Sequence, residues 1–303
     1  MWSTHKKQMI NLEEMAHKLE ESGKYKILRA YQQPECYNPD DGSIKRVGVL
    51  IDTEDTGTDF RKDAIIELGM IKFEYSPHDG RIFRILETYD EYNDPGYPIP
   101  EIITRLTGIT DATVKGKKID LTHVKAFLKD VNFVIAHNAG FDRKFCEKLH
   151  PVFMDISWGC SMSDIDWSSE GIESRKLDYI ASKLGFFFTG HRAVNDCLAT
   201  LHILSMQLPK SQTPALLTLL ENARRLTYRI YALNSPYSAK DILKARGYLW
   251  NDGNGNQPKA WYVEVPQERK DTEIRYLYKE IYKNEPFLPQ IQINAQNRYS
   301  DRI

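Results

Sequence analysis

Asp52 and Glu54 stand two residues apart at the end of the apolar run Val47–Ile51, in the stretch VGVLIDTEDTGTD. A strand turns side chains i and i+2 to one face, so both carboxylates point the same way. Acids crowded there repel one another and require a cation, a basic partner or open water. Two further acids stand on other elements. Asp142 follows the apolar segment NFVIAHN, in the first turn of a helix predicted over AGFDRKFCEKL, and Asp196 lies near the start of a helix predicted over AVNDCLATLHILSMQL. Converging at the strand end, the four would hold two Mg²⁺ or Mn²⁺ ions. One ion would activate a water and the other would stabilise a leaving 3′-oxygen, which is phosphodiester cleavage. His191, five residues before Asp196, is the candidate general base. Each piece has an ordinary explanation alone. D-x-E is often a surface feature, an acid in a first turn favours the helix dipole, and a lone His before a helix is often a cap. The ordered set is what carries specificity.

The elements that must position these residues follow from periodicity and turn chemistry. VGVLIDTE, AIIELGMIKFEY and RIFRILETYDEY read as three strands, the last two joined by the turn SPHDG. PEIITRL and LTHVKAFLKD read as helices, NFVIAHN as a short strand, and VFMDIS as strand-like. In AGFDRKFCEKL, Phe141, Phe145 and Leu149 share one helix face. KLDYIASKLG is a helix closed by Gly185. A meander followed by alternating helices and strands predicts an α/β fold, one mixed sheet flanked by helices, over residues 45–208. Residues 1–44 read as an N-terminal extension carrying one helix, with Leu12, Met15 and Leu19 at helical spacing and Gly23 as its stop. Residues 209–303 read as a small α+β domain in the order helix, strand, helix, strand pair, helix. Ser238 is the expected N-cap of its second helix, GNGNQ the turn of its strand pair, and the tail after Pro286 is expected to be irregular.

DTEDTG, HNAGFD and HRAVND resemble the three motifs of the DnaQ-like 3′–5′ exonucleases, the DEDD superfamily. His five residues before the last Asp matches the histidine branch. IIELGMIKF and RLTGITDATV resemble that family's second strand and its turn near the substrate. The resemblance implies an RNase H-like fold, two metal ions, and release of 5′-mononucleotides from a 3′ end. Carried over by position, Asp52, Glu54, Asp142 and Asp196 bind metal, His191 is the base, and Thr53, Thr107, Ile109 and Phe141 lie near the terminal nucleotide. Asp55 departs from the pattern, which has a hydroxyl residue there, and adds a negative charge beside the metals. His137 and Asn138 also match, with His137 expected to hydrogen-bond locally.

Composition narrows the alternatives. The 303 residues are 41% hydrophobic and 11% aromatic, which suits a folded chain. Net charge is −1, so nucleic-acid contact must come from local patches. Four cysteines without a C-x-x-C pair give no zinc signature and fit a reducing, cytoplasmic setting. No signal peptide or membrane span is expected. Between Ala223 and Tyr262, seven Lys or Arg face two acids, with Trp and Tyr interleaved. Lys244, Arg246, Trp250 and Trp261 are therefore candidates for gripping a nucleic-acid strand; equally, the aromatics are candidates for the core of the small domain. KARGYLWNDG…PKAWYV loosely resembles small modules attached to nucleic-acid enzymes. The expected function is 3′–5′ exonuclease action on single-stranded DNA ends in proofreading or repair. In such a role the partner would be a separate polymerase or repair protein, since no polymerase domain is visible in the sequence. The alternatives are trimming of RNA ends and a non-catalytic binding module; the intact carboxylates and His191 argue against the latter.

Overall fold

The computed structural model describes residues 11–253 and 257–303. Helix α1 (Leu12–Glu21) is capped by the Asn11 side chain, which accepts from the backbone N of Glu13 and Glu14. Strand β1 (Arg29–Ala30) follows. The meander is β2 (Arg46–Asp55), β3 (Ile65–Tyr75) and β4 (Ile82–Tyr92), all antiparallel neighbours. Helices α2 (Glu101–Thr107), α3 (Asp111–Val114) and α4 (Leu121–Phe127) precede strand β5 (Phe133–Ala136), helix α5 (Ala139–Leu149) and strand β6 (Trp158–Cys160). Helix α6 (Leu177–Lys183), strand β7 (Phe186–Phe187), helix α7 (Ala193–Ser205) and helix α8 (Ala215–Arg224) complete the larger unit.

The sheet runs β4-β3-β2-β5-β6, with β5 and β6 parallel to β2. This is the mixed α/β sheet expected from the sequence. Alternation along β2 explains both layers. Leu50 packs with Cys197, Leu201 and other residues of α7 on one face, and Val49 and Ile51 pack with Phe145 and Cys146 of α5 on the other. Each fully buried Leu, Ile or Phe contributes about 1.5–3 kcal/mol by transfer from water. Register is therefore fixed, and with it the side to which Asp52 and Glu54 point.

Three local expectations are corrected. VFMDIS is not a strand: Pro151–Met154 forms a 3₁₀ turn and the strand starts at Trp158. Pro151 at the turn's first position presets its φ, and apolar content alone cannot tell strand from turn. Helix α8, expected in the small domain, buries Leu216, Leu219 and Leu220 in the core shared with α7. Ser238 does not cap a helix. It lies within the 3₁₀ turn Tyr237–Ala239, which runs straight into α9 (Lys240–Ala245), so no hydroxyl cap is needed.

The small sheet is antiparallel, in the order β11-β8-β10-β9, built from β8 (Thr227–Ala232), β9 (Leu249–Asn251), β10 (Ala260–Pro266) and β11 (Gln290–Ile293). Part of the GNGNQ turn lies outside the described residues. Helix α10 (Lys270–Tyr276) continues as a wider turn over Leu277–Tyr282. The tail after Pro286 is not irregular throughout. Gln290–Ile293 pairs with β8, and beyond it Ala295 O accepts from Trp158 N of β6. The strand QIQI does alternate polar and apolar residues, but over only four positions, too few to stand out beside Pro286 and Pro289.

One close approach ties the sheet to helix α7. Gly69 lies opposite Asp52 on β3, and a Cβ there would stand 2.6 Å from the Ala193 carbonyl carbon and the Val194 nitrogen. Backbone cannot yield as a side chain can. Gly69→Ala is expected to destabilise the fold by about 1–3 kcal/mol and to lift the first turn of α7 away from β3. Thermal melting should show the first effect, and weakened Mn²⁺ binding at Asp196 the second.

Candidate active site

Strand β2 loses its β5 neighbour before it ends. The last pair between them is Leu50 with Ile135. Beyond it, the Thr53 nitrogen has no strand partner on that edge and donates instead to Asp142 Oδ1 at 3.2 Å. Helix α5 enters this gap directly after β5, which brings Asp142 to the strand end. On the other face, α7 presents Asp196. Ligand atoms of Asp52, Glu54 and Asp196 all lie within 4.8 Å of one another, a spacing one or two divalent cations could bridge. Asp142 reaches the same end from the α5 side and is 3% exposed.

Electrostatics marks the four as a strained set. Burial, then the charges of Asp142, Asp196 and Glu54, push the Asp52 carboxyl well above the usual range. Burial and then Asp196 raise Glu54 to about 8. Burial raises Asp142 to about 7 and Asp196 to about 6, backbone hydrogen bonds opposing it in both. Such a set holds protons until cations replace them, and all-oxygen donors of this kind suit Mg²⁺ or Mn²⁺.

Asp55 is outside this face. It shares the opposite face of β2 with Thr53, whose Oγ1 donates to Asp55 Oδ2 at 2.7 Å. Burial pushes its carboxyl well above the usual range, and Oδ1 has no protein partner. The extra acid of the first motif is thus a buried group behind the strand. His137 bonds locally, as expected: Nδ1 pairs with Ser161 Oγ and Nε2 with Arg175 O, both at 2.8 Å. Burial lowers its pKa to about 4, so it stays neutral.

His191 is exposed and stands in the left-handed region at φ 61°. That conformation is costly for a residue with a Cβ. Neighbouring groups hold it. Arg192 N donates to Asp196 Oδ2 at 3.1 Å, and Asn195 Nδ2 donates to Thr189 O at 3.0 Å. The side chain of Arg192 forks onto Glu67 Oε1 through Nε at 3.0 Å and Nη2 at 2.7 Å, and Nη2 also reaches the Tyr92 hydroxyl. Glu67 is fully buried and takes the Ala193 nitrogen on its second oxygen at 3.1 Å. Glu67, Tyr92 and Arg192 were not singled out from sequence. The available signal was an acid inside the apolar strand IIELGMIKF and an Arg beside the candidate base.

The remaining candidates are placed as follows. Phe141 lines a cleft of about 590 Å³ with Asn138, Gly140, Phe60, Arg61 and Lys144. Thr53 is buried beside Asp142. Thr107 Oγ1 donates to Ile103 O and accepts from Ile109 N, and Ile109 is 2% exposed in a cluster with Ile66 and Val114. Thr107 and Ile109 thus shape the α2–α3 turn, while Ile102 and Leu106 of α2 are the exposed apolar side chains nearby in sequence. Lys244 is exposed. Arg246 is not free: Nε and Nη2 grip Glu273 at 2.7 and 2.8 Å, and its guanidinium lies 3.6 Å from the Tyr276 ring centroid. Trp250 is 50% exposed and meets Trp261 edge-on, with centroids 5.5 Å apart.

A family model described as "Exonuclease" matches residues 49–204. The chain is 31% identical over 177 residues to the DNA polymerase III subunit epsilon of Aquifex aeolicus, 56% of this chain and 84% of that protein. It is 31% identical over 186 residues to a PolC-type DNA polymerase III of Clostridium perfringens, of whose length it spans only 12%. Among solved structures it is similar to a zinc-bound complex of E. coli exonuclease I with single-stranded DNA, at a TM-score of 0.50 and 15% identity, covering 73% of this chain and 63% of that one. Family, sheet order and acidic cluster together define a nuclease. The chain belongs to the exonuclease family, in its DnaQ-like branch. Among the described residues no helix is long and apolar enough to cross a membrane.

The acidic set gives a pH signature. Unfolded carboxylates titrate near 4, whereas Glu54, Asp142 and Asp196 titrate at about 8, 7 and 6 in the fold. Between those limits the native state binds more protons than the unfolded chain. Stability of the metal-free protein should therefore be fully present below about pH 4, for these groups, and fall as pH rises to about 8. Each kcal/mol lost lowers the melting temperature by roughly 2–4 °C. Melting from pH 5 to 8.5, with chelator and with Mn²⁺, checks this. Mn²⁺ should remove most of the decline.

Proposed function

We propose that the chain is a metal-dependent 3′–5′ exonuclease that releases 5′-mononucleotides from single-stranded DNA. The observation that carries this reading is the convergence of Asp52, Glu54 and Asp196 beside His191, with Asp142 closing the strand end. Asp52, Glu54, Asp142 and Asp196 would hold two Mg²⁺ or Mn²⁺ ions, which supply Lewis acidity and lower the pKa of water. His191 would accept the proton of the attacking water, its exposed ring projecting from a loop fixed by Arg192 and Asn195. Phe141 and Asn138 would receive the terminal nucleotide in their cleft, its phosphates taking the place of Asp301 beside Lys144 and Arg61. The epsilon subunit and the PolC-type enzyme to which the chain is similar are by name DNA polymerase proteins, which favours DNA and a polymerase or repair partner.

Asp142→Ala should abolish most turnover, and His191→Ala should slow the chemical step roughly 10²–10⁴-fold while Mn²⁺ still binds. Matched 3′-labelled DNA and RNA oligonucleotides in Mg²⁺ test sugar choice. A blocked 3′ end and a circular strand should both survive. Near-normal turnover by folded Asp142→Ala, or release of 3′-monophosphates, would overturn the assignment.

Strand grip by the small domain is narrower than its charge count suggests. Arg229 and Arg246 are paired internally with Glu264 and Glu273. What stays open is a cleft of about 450 Å³ lined by Tyr237, Lys240, Trp250, Trp261, Ser235 and Pro236, with Tyr237 86% exposed. In this reading Trp250 and Tyr237 stack bases, and Lys240 and Lys244 meet phosphates. Trp250→Ala should weaken a long single strand by about 1–3 kcal/mol, and Lys240→Glu should flatten the salt dependence of binding. Arg246→Glu should instead lower the melting temperature. Parent-like affinity of Trp250→Ala and Lys240→Glu for a long strand, at low salt, would leave the cleft without this role.

A further inference from the structure

Asp142 is immediately followed by a side chain that faces away from the metal ligands. Arg143 is fully buried, an exceptional place for a guanidinium. Its five N–H donors must be met by acceptors nearby. Four oxygens surround it: Glu147 Oε1 at 2.7 Å from Nε, Ala295 O at 3.4 Å and Arg298 O at 2.8 Å from Nη1, and Gln296 O at 2.5 Å from Nη2. Three of the four are backbone carbonyls of residues 295–298. The guanidinium also lies 5.4 Å from the Trp158 ring centroid, so it is held from the sheet side as well.

The same segment grips α5 a second time. Glu147, one turn beyond Arg143, accepts from Ser300 Oγ at 2.7 Å and from Arg302 Nη2 at 3.1 Å. Tyr299 OH donates to Asp164 Oδ1 at 2.7 Å, while Asp164 Oδ2 takes the nitrogen of Cys160 on β6. Ala295 O meanwhile accepts from Trp158 N. Residues 295–302 thus bridge the edge of the sheet and the outer face of α5. They arrive there directly from β11, a strand of the small sheet.

We propose that residues 295–302 are a clamp that sets the position of α5, with Arg143 as its positioning residue, so that Asp142 meets Thr53 N and the metal ligands across the strand end. The proposal rests on the metal-dependent reading above. Asp142 is the ligand that comes from the α5 side, and its place depends on where that helix lies. Removing the clamp leaves α5 held chiefly by the apolar contacts of Ala139, Phe145 and Cys146, which resist separation better than sliding, and by Lys148 Nζ on the Phe60 and Asp63 carbonyls at the helix's far end. The coupling also gives the small domain a mechanical line to the site through β11.

Arg143→Met in the full chain removes the donors and keeps the volume. Three readouts are taken: Mn²⁺ affinity by electron paramagnetic resonance, amide exchange of residues 141–144 in metal-free protein, and kcat and KM on a short oligonucleotide. The clamp predicts Mn²⁺ binding weakened about tenfold or more, faster exchange at 141–144, and kcat lowered 10- to 100-fold with KM within threefold. In an Asp142→Asn background the same change should cost little further Mn²⁺ affinity, because the ligand it positions is already altered. Should Arg143→Met fail to fold, the pair Ser300→Ala with Arg302→Ala strips two of Glu147's partners while leaving Arg143 in place, and should weaken Mn²⁺ several-fold. Parent-like Mn²⁺ affinity in a folded variant, or equal losses with and without Asp142, would overturn the clamp. Absence of Mn²⁺ binding by the parent chain would instead overturn the metal-dependent reading on which it rests.

Discussion

Like charges brought to one strand end govern this structure. Asp52, Glu54, Asp142 and Asp196 come from a strand and two helices, and the last three all raise the pKa of Asp52. Left to themselves these charges, which bear most heavily on Asp52, would push β2, α5 and α7 apart. The arrangement survives because the apolar faces of those elements are buried more firmly than the acids repel, and because protons or cations relieve the charge. Glu67 adds to the crowding, directly opposite Glu54 in the ladder, and Arg192 is the cation that answers it.

Three arginine–glutamate pairs recur with the same construction. Arg192 meets Glu67, Arg143 meets Glu147, and Arg246 meets Glu273, and in each the glutamate is buried. Pairs of this kind contribute little net stability, since desolvation offsets most of the attraction, but a missing partner is costly. Their effect is on geometry. The first fixes the loop carrying His191, the second the helix carrying Asp142, and the third the packing of α10 against α9. Electrostatic precision at the site thus depends on charges that take no part in the chemistry.

Much of this was legible in the sequence. Alternation in VGVLIDTE and the helical spacing of Phe141, Phe145 and Leu149 specify how those elements face the core, and three short motifs resemble a known family closely enough to name the acids. What could not be read were contacts made by backbone. The carbonyls of residues 295–298 carry no side-chain signature, and neither does the missing β5 partner of Thr53. Arg246 misled for another reason: its acid, Glu273, is 27 residues away, beyond any local count of charge. Glu67 was hidden in plain sight, as an acid on a strand whose neighbours are all apolar.

The N-terminal segment does for α7 what residues 295–302 do for α5. Strand β1 lies parallel to β7, and Tyr31 and Phe186 close on His202 of α7 with ring centroids 5.1 and 4.8 Å away. Tyr37 and Tyr31 share a hydroxyl contact at 3.1 Å in the same cluster. The two helices that deliver acids are therefore each braced by a stretch of chain outside residues 49–204, the span that the family model recognises. A fragment trimmed to that span would keep all four candidate acids and all of the central sheet except the first three residues of β2, yet lose both outer supports. Similarity covers the residues that carry the acids; the contacts that brace their helices reach further out, to Tyr31 on one side and Arg302 on the other.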